Sequence, residues 1–232
     1  MKYESAELTK ISINMFLISS ITTTNELAEI SKKIGANWSE ISPALRLDKR
    51  IGKYAYLNPG LGISGGNLER DLNTITKIYK SNNMDSKLFK FWQDKSNYYR
   101  NWALRIFKDV SKKNKKISNI TILGLTYKAN TNSLKNSPSI MMINKLKGKY
   151  KIKLYDPVIK YLGKNKNLTM AESKIDALKD SEVLLIMTPW KEFKNLSLNL
   201  IRKVMIGNIV IDPYGVLKEK NFINSKLNYF TI

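Results

Sequence analysis

Ile120-Thr121-Ile122-Leu123-Gly124 is a short apolar run, rich in β-branched residues and closed by a glycine. Runs of the same kind recur at Ile152-Lys153-Leu154-Tyr155, Val183-Leu184-Leu185-Ile186-Met187 and Ile209-Val210-Ile211. Their length and make-up read as strands of a buried sheet. Between the first two, Ser137 supplies an N-cap and Pro138 a first-turn proline ahead of Ile140, Met141, Ile143 and Leu146 at helical spacing. Ser173 to Leu178 reads as a further helix between the second and third. Strands and helices alternating in this way predict a parallel sheet wound by right-handed crossovers, a Rossmann-like α/β domain.

Upstream the pattern is helical. From Ala6 to Ile34 the apolar residues Leu8, Ile11, Met15, Ile18, Leu27 and Ile30 fall mostly at helical steps, and Gly35 is placed to end the helix. Asn37-Trp38-Ser39 opens a short helix that Pro43 closely follows. Ile51 to Gly66 holds Gly52, Pro59, Gly60, Gly62, Gly65 and Gly66, breakers too dense for regular structure, and so predicts a loop. Helix formers return from Leu68 to about Val110, interspersed with aromatics such as Phe89, Trp92, Tyr99, Trp102 and Phe107. These aromatics are expected to pack a helical core or a dimer face. Lys112 to Lys116 reads as a solvated junction. The chain therefore divides into a helical domain, residues 1–115, and the α/β domain, residues 116–232.

Composition narrows the chemistry. The 232 residues contain no cysteine and no histidine. A thiol nucleophile, imidazole acid–base catalysis and the usual zinc ligand sets are thereby excluded from these residues, and no metal is expected. Forty Lys and Arg against nineteen Asp and Glu give a net charge of +21, which would attract any polyanion. Charge alone raises the alternative of a basic nucleic-acid-binding protein, but the lysines are scattered rather than grouped. The opening MKYESAELTK carries no apolar leader, and no stretch reaches the length of a membrane span, so a soluble cytoplasmic protein is the expectation. After the first strand the sequence is Gly124-Leu125-Thr126-Tyr127-Lys128, one glycine where a dinucleotide fingerprint has three.

Several segments together resemble the nucleotide-sugar dehydrogenases of the UDP-glucose/GDP-mannose type. Asp48-Lys49-Arg50-Ile51-Gly52, Leu57 through Gly62, and Gly65-Gly66-Asn67-Leu68-Glu69-Arg70-Asp71 resemble the family's stretch ending in Gly-Gly-Ser-Cys-Phe-Pro-Lys-Asp. Glu7-Leu8-Thr9-Lys10 with Asn14 and Asn25-Glu26 resembles the helix opening its central domain. Gly124 to Lys128, Thr131 and Ser137-Pro138 resemble its Gly-Leu-x-Phe-Lys…Thr…Arg-x-Ser-Pro motif. Tyr155-Asp156-Pro157 and Thr188-Pro189-Trp190 resemble its Tyr-Asp-Pro and Thr-Glu-Trp. The likeness runs through the whole chain in order.

The resemblance implies an all-helical dimerisation domain followed by a Rossmann-like domain that binds the nucleotide of the sugar. The family's NAD is held by a preceding domain, and the chain begins at the central helix, so none is expected to bind this chain alone. The implied reaction oxidises a sugar C6 hydroxyl to a carboxylate in two hydride transfers to NAD, with a covalent intermediate on a cysteine between them. Asn67 stands at that cysteine's position. The resemblance further implies that Lys10 and Asn14 steady the developing alkoxide and hold the catalytic water, and that Asp71 serves as base. Arg50 would reach the substrate of a neighbouring subunit, Gly60, Gly62 and Gly65 would let the loop approach it, and Lys128 would contact phosphate. Lys135 replaces a family arginine, and Tyr214-Gly215 follow Asp212 where an arginine is common. A non-catalytic or partner-dependent protein that binds a nucleotide sugar is expected, as a homodimer or paired with a full-length dehydrogenase or a separate NAD domain.

Overall fold

The computed structural model describes residues 1–114, 116–218, 220–222 and 225–232. Lys115, a member of the lysine run and the last residue of the helical domain as drawn from the sequence, lies outside them. The chain forms two compact units, Met1–Arg100 with Ile232, and Asn101–Thr231. This division lies ahead of the 115/116 boundary read from the sequence, because the last of the amphipathic helices packs on the sheet.

The first unit is helical. Helix α1, Tyr3–Lys33, ends in Gly35 at φ +77°, the left-handed conformation that stops a helix. Helix α2, Trp38–Leu47, is capped by the Asn37 side chain, which accepts from the Ser39 N–H. A loop then leads to α3, Asn67–Ser81, and α4, Lys87–Arg100. What reads in sequence as one helical stretch is broken at Asn83, whose φ of +55° no helix tolerates. Met15, Ile18, Ile63, Leu72, Ile75 and Phe89 form the core. The inward face of α1 differs from the apolar stripe expected. Leu8, Leu27 and Ile30 are exposed, while Asn14, Thr24 and Asn25 are buried. Polar side chains with partners occupy the interior, which a hydrophobic pattern cannot reveal.

The second unit begins with α5, Trp102–Lys113, which contacts the sheet. Its strands are β1 (Asn119–Leu123), β2 (Lys151–Tyr155), β3 (Leu168–Met170), β4 (Val183–Ile186), β5 (Ile209–Ile211) and β6 (Asn228–Phe230). All pair in parallel, in the order β3-β2-β1-β4-β5-β6. Helix α6, Pro138–Leu146, joins β1 to β2, and α7, Lys174–Leu178, joins β3 to β4. Helix α8, Leu198–Val204, precedes β5. Ser137, Ser173 and Ser197 each cap the helix that follows. β3 and β6, three residues each at the two edges, carry too few apolar residues to stand out in sequence. The order reverses between β1 and β4, and at such a switch point a sheet of this kind opens a crevice beyond its strand ends.

Candidate functional site

Each unit holds a candidate site, and each is described by itself. In the first, the loop that follows α2 is latched to the helices. Thr24 Oγ1 donates to the Tyr56 carbonyl and Trp38 Nε1 to that of Leu57, both at 2.8 Å. The Gly60 N–H donates to Asn25 Oδ1 at 2.8 Å, and the Ile63 N–H to Ser96 Oγ at 3.0 Å. Arg100 donates to the Ile63 carbonyl at 2.7 Å and pairs with Glu69. Gly62, at φ +70°, lies so close to Ser96 that an added Cβ would fall 2.7 Å from its carbonyl oxygen. Gly65 has φ +84° and is buried.

From this loop the chain enters α3 at Asn67, an exposed residue one turn ahead of Asp71 on the same face. Asp71 is 6% exposed and Asn14 5%. Asn14 Nδ2 donates to Asp71 Oδ2 at 2.5 Å, and Arg70 Nε to Asp71 Oδ1 at 3.0 Å. The carboxylate thus has a donor on each oxygen and a fixed direction. Lys10 lies one turn before Asn14 on α1 and is exposed. The structure brings Asn14 and Asp71 together and leaves Arg50 apart from them in its contacts. The Arg50 side chain is 90% exposed and forms a two-pronged bond to Asp48, at 3.0 and 2.6 Å. Hydrogen bonding to Arg50 holds the Asp48 carboxyl below its usual value and raises the guanidinium in turn.

In the second unit three loops converge where β1, β2 and β4 end. Gly124 has φ +88°, and a Cβ there would lie 2.5 Å from Thr188 Cβ and 2.7 Å from Thr188 N. Thr188 Oγ1 donates to the Thr126 carbonyl at 2.6 Å. Asp156, buried just past β2, ties the loops together. Its Oδ2 accepts from the Leu125 N–H at 2.8 Å, the Thr126 N–H at 3.4 Å and Trp190 Nε1 at 3.2 Å. Its Oδ1 accepts from the N–H groups of Val158 and Ile159 at 2.9 and 3.0 Å. Sequence singled out the three segments but not the carboxylate that joins them. The available signal was an aspartate directly after a strand and before a proline, in Tyr155-Asp156-Pro157.

Lys128 and Lys135 sit exposed on the loop between β1 and α6, and the Tyr127 N–H donates to the Ser133 carbonyl across it. Lys128 Nζ lies 5.6 Å from the centre of the Tyr127 ring. The backbone groups that would face a dinucleotide pyrophosphate in the first βα turn are engaged otherwise, since Asp156 holds the Leu125 N–H. Helix α6 starts at Pro138, and the hydroxyl of its cap, Ser137, donates to the Leu125 carbonyl of that turn at 2.6 Å. Past β5, Asp212 is fully buried, accepts from the Leu217 N–H and from Tyr229 Oη, both at 2.8 Å, and has its carboxyl pushed up by burial. Among the described residues no cluster of acidic side chains could hold a metal, and no helix is long and apolar enough to cross a membrane.

An all-parallel sheet with this strand order and an organised switch point places the second unit among the α/β proteins of doubly wound type. Residues 121–219 match the UDP-binding domain of the UDP-glucose/GDP-mannose dehydrogenase family and residues 4–98 its central domain. The chain belongs to that family. It is 33% identical over 234 residues to a UDP-glucose 6-dehydrogenase of Rickettsia bellii, covering 98% of this chain and 54% of that protein. The fold is similar to that of a UDP-glucose dehydrogenase from Pyrobaculum islandicum, with a TM-score of 0.82 at 23% identity over 100% of this chain and 51% of the other. An NDP-N-acetyl-D-galactosaminuronic acid dehydrogenase from Methanosarcina mazei Go1 gives 0.85 at 19% identity, over 100% and 51%. The chain spans about half the length of the relatives it matches.

Proposed function

We propose that this chain is the part of a nucleotide-sugar dehydrogenase that binds the nucleotide sugar and self-associates, and that residues 1–232 do not complete the oxidation alone. The observation that carries the binding half is the junction of Gly124, Asp156 and Thr188, which orders the loop bearing Lys128 at the switch point. Lys128 supplies positive charge for a diphosphate, and Lys135 a second charge without the forked geometry of an arginine.

The case against independent catalysis rests on Asn67. A carboxamide is not nucleophilic and cannot hold an aldehyde covalently, so the second oxidation lacks its intermediate. The Asn14–Asp71 pair, with Lys10 a turn away, would still suit a carboxylate base with an ordered water. Backbone donors after β1 that are committed to Asp156 support NAD being held elsewhere, by a separate domain or a paired full-length dehydrogenase. Exposed Leu8, Ile13, Phe16, Leu27 and Ile30 along α1 support self-association, with Arg50 offered to a neighbouring subunit.

Calorimetric titration with UDP-glucose, UDP-N-acetylmannosamine, GDP-mannose and NAD, with the mass in solution, tests the reading. Saturable binding of one sugar nucleotide by a dimer, with none of NAD, is expected. A folded protein that binds none of the sugar nucleotides sinks it.

A further inference from the structure

Between β2 and β3 the chain forms no helix. The connecting loop instead bounds a cavity of about 550 Å³ against the sheet edge. That volume lies within the range of small-molecule sites, roughly 300–1,000 Å³. Leu168 and Met170 line its apolar side, and the loop contributes Lys160, Tyr161, Lys164 and Lys166. Every charged side chain in this lining is a lysine. None of the three forms an ion pair with a described residue; Lys160 Nζ lies 3.5 Å from the Asp156 carbonyl oxygen and 5.6 Å from the centre of the Tyr155 ring. Tyr161 is 67% exposed, so its ring is open to a ligand. Three cations without counter-charge at one cavity repel one another, and a multiply charged anion relieves that repulsion. The apolar lining favours an anion that also carries a flat, weakly polar group. The residues concerned are separate from the Gly124–Lys128 turn.

We propose that this cavity binds a nucleoside triphosphate, with the phosphates on Lys160, Lys164 and Lys166 and the base against Leu168, Met170 and Tyr161.

The test is calorimetric titration of the whole chain with ATP and, separately, with inorganic pyrophosphate. Wild type, K164E/K166E and K128A are compared, and UDP-glucose is titrated in parallel. ATP is expected to bind one to one and more tightly than pyrophosphate. Each charge-assisted bond removed in K164E/K166E is expected to weaken ATP binding about tenfold. K128A is expected to bind ATP like wild type, and K164E/K166E to treat UDP-glucose like wild type, which also shows that it folds. No ATP binding by wild type, or equal binding by K164E/K166E, overturns the site. Weakening in K128A equal to that in K164E/K166E overturns it too, by placing ATP at the switch point. Pyrophosphate binding as tight as ATP overturns the role given to the apolar lining. Failure of UDP-glucose to bind any form bears on the proposed function and leaves the ATP result standing.

Discussion

Asn14 on α1 and Asp71 on α3, 57 residues apart in sequence, meet through a buried 2.5 Å hydrogen bond from the amide to the carboxylate. The bond crosses the helical core beside Met15 and Leu72, where apolar packing cannot substitute for it. Asn14→Ala leaves one carboxylate oxygen without its donor and is expected to cost about 2 kcal/mol. In a double-mutant cycle with Asp71→Ala the coupling is expected to be about 1–2 kcal/mol by urea unfolding. A coupling near zero would mean that the two side chains contribute independently.

Asp156→Asn keeps the shape and removes the charge that five N–H groups share. The new amide turns donors against donors. A loss of about 3 kcal/mol is expected, with weaker UDP-glucose binding because the Leu125–Lys128 turn is no longer anchored. Unchanged stability would show that the carboxylate is incidental to the junction.

Gly124→Ala combines a left-handed φ of +88° with a Cβ 2.5 Å from Thr188 Cβ. The expected cost is roughly 3 kcal/mol, read as a shift in the unfolding midpoint. Thr188→Ala is not expected to rescue it, because the Thr188 backbone nitrogen would still be 2.7 Å away. Full rescue would put the strain in the threonine side chain alone.

Asp212 carries a pH signature. Burial raises its carboxyl, against the N–H groups of Leu217 and Val216 and the Tyr229 hydroxyl, which pull it down. A carboxyl raised in the folded state binds its proton more tightly there than in the unfolded chain. Its contribution is fully present below the unfolded value and is lost as pH rises through the folded one. Asp212→Asn removes this slope, so the variant's stability relative to wild type is expected to rise from about pH 4 to neutrality. A flat difference across urea midpoints would contradict the assignment.

Much of this architecture was legible in residues whose local chemistry is strong. Four strands, the serine cap before α6 and the stop at Gly35 follow from runs and caps that act over a few neighbours. β3 and β6 did not announce themselves, since short edge strands are set by the partner beside them. The division at Arg100 and Asn101 was illegible for the same reason, because only tertiary contact tells α5 that it belongs with β5. Among the site residues, Asn14 and Asp71 were named from the resemblance, and their pairing comes from the fold. Asn25 and Asp156 bind backbone atoms far away in sequence, a role that no spacing encodes.

The most direct measurement is a calorimetric titration of UDP into wild type and Lys128→Ala. One-to-one binding is expected, weakened about tenfold in the variant by removal of a charge-assisted bond to phosphate. No saturable binding of UDP to the folded wild type, or equal affinity in both proteins, would contradict a nucleotide site at the end of β1.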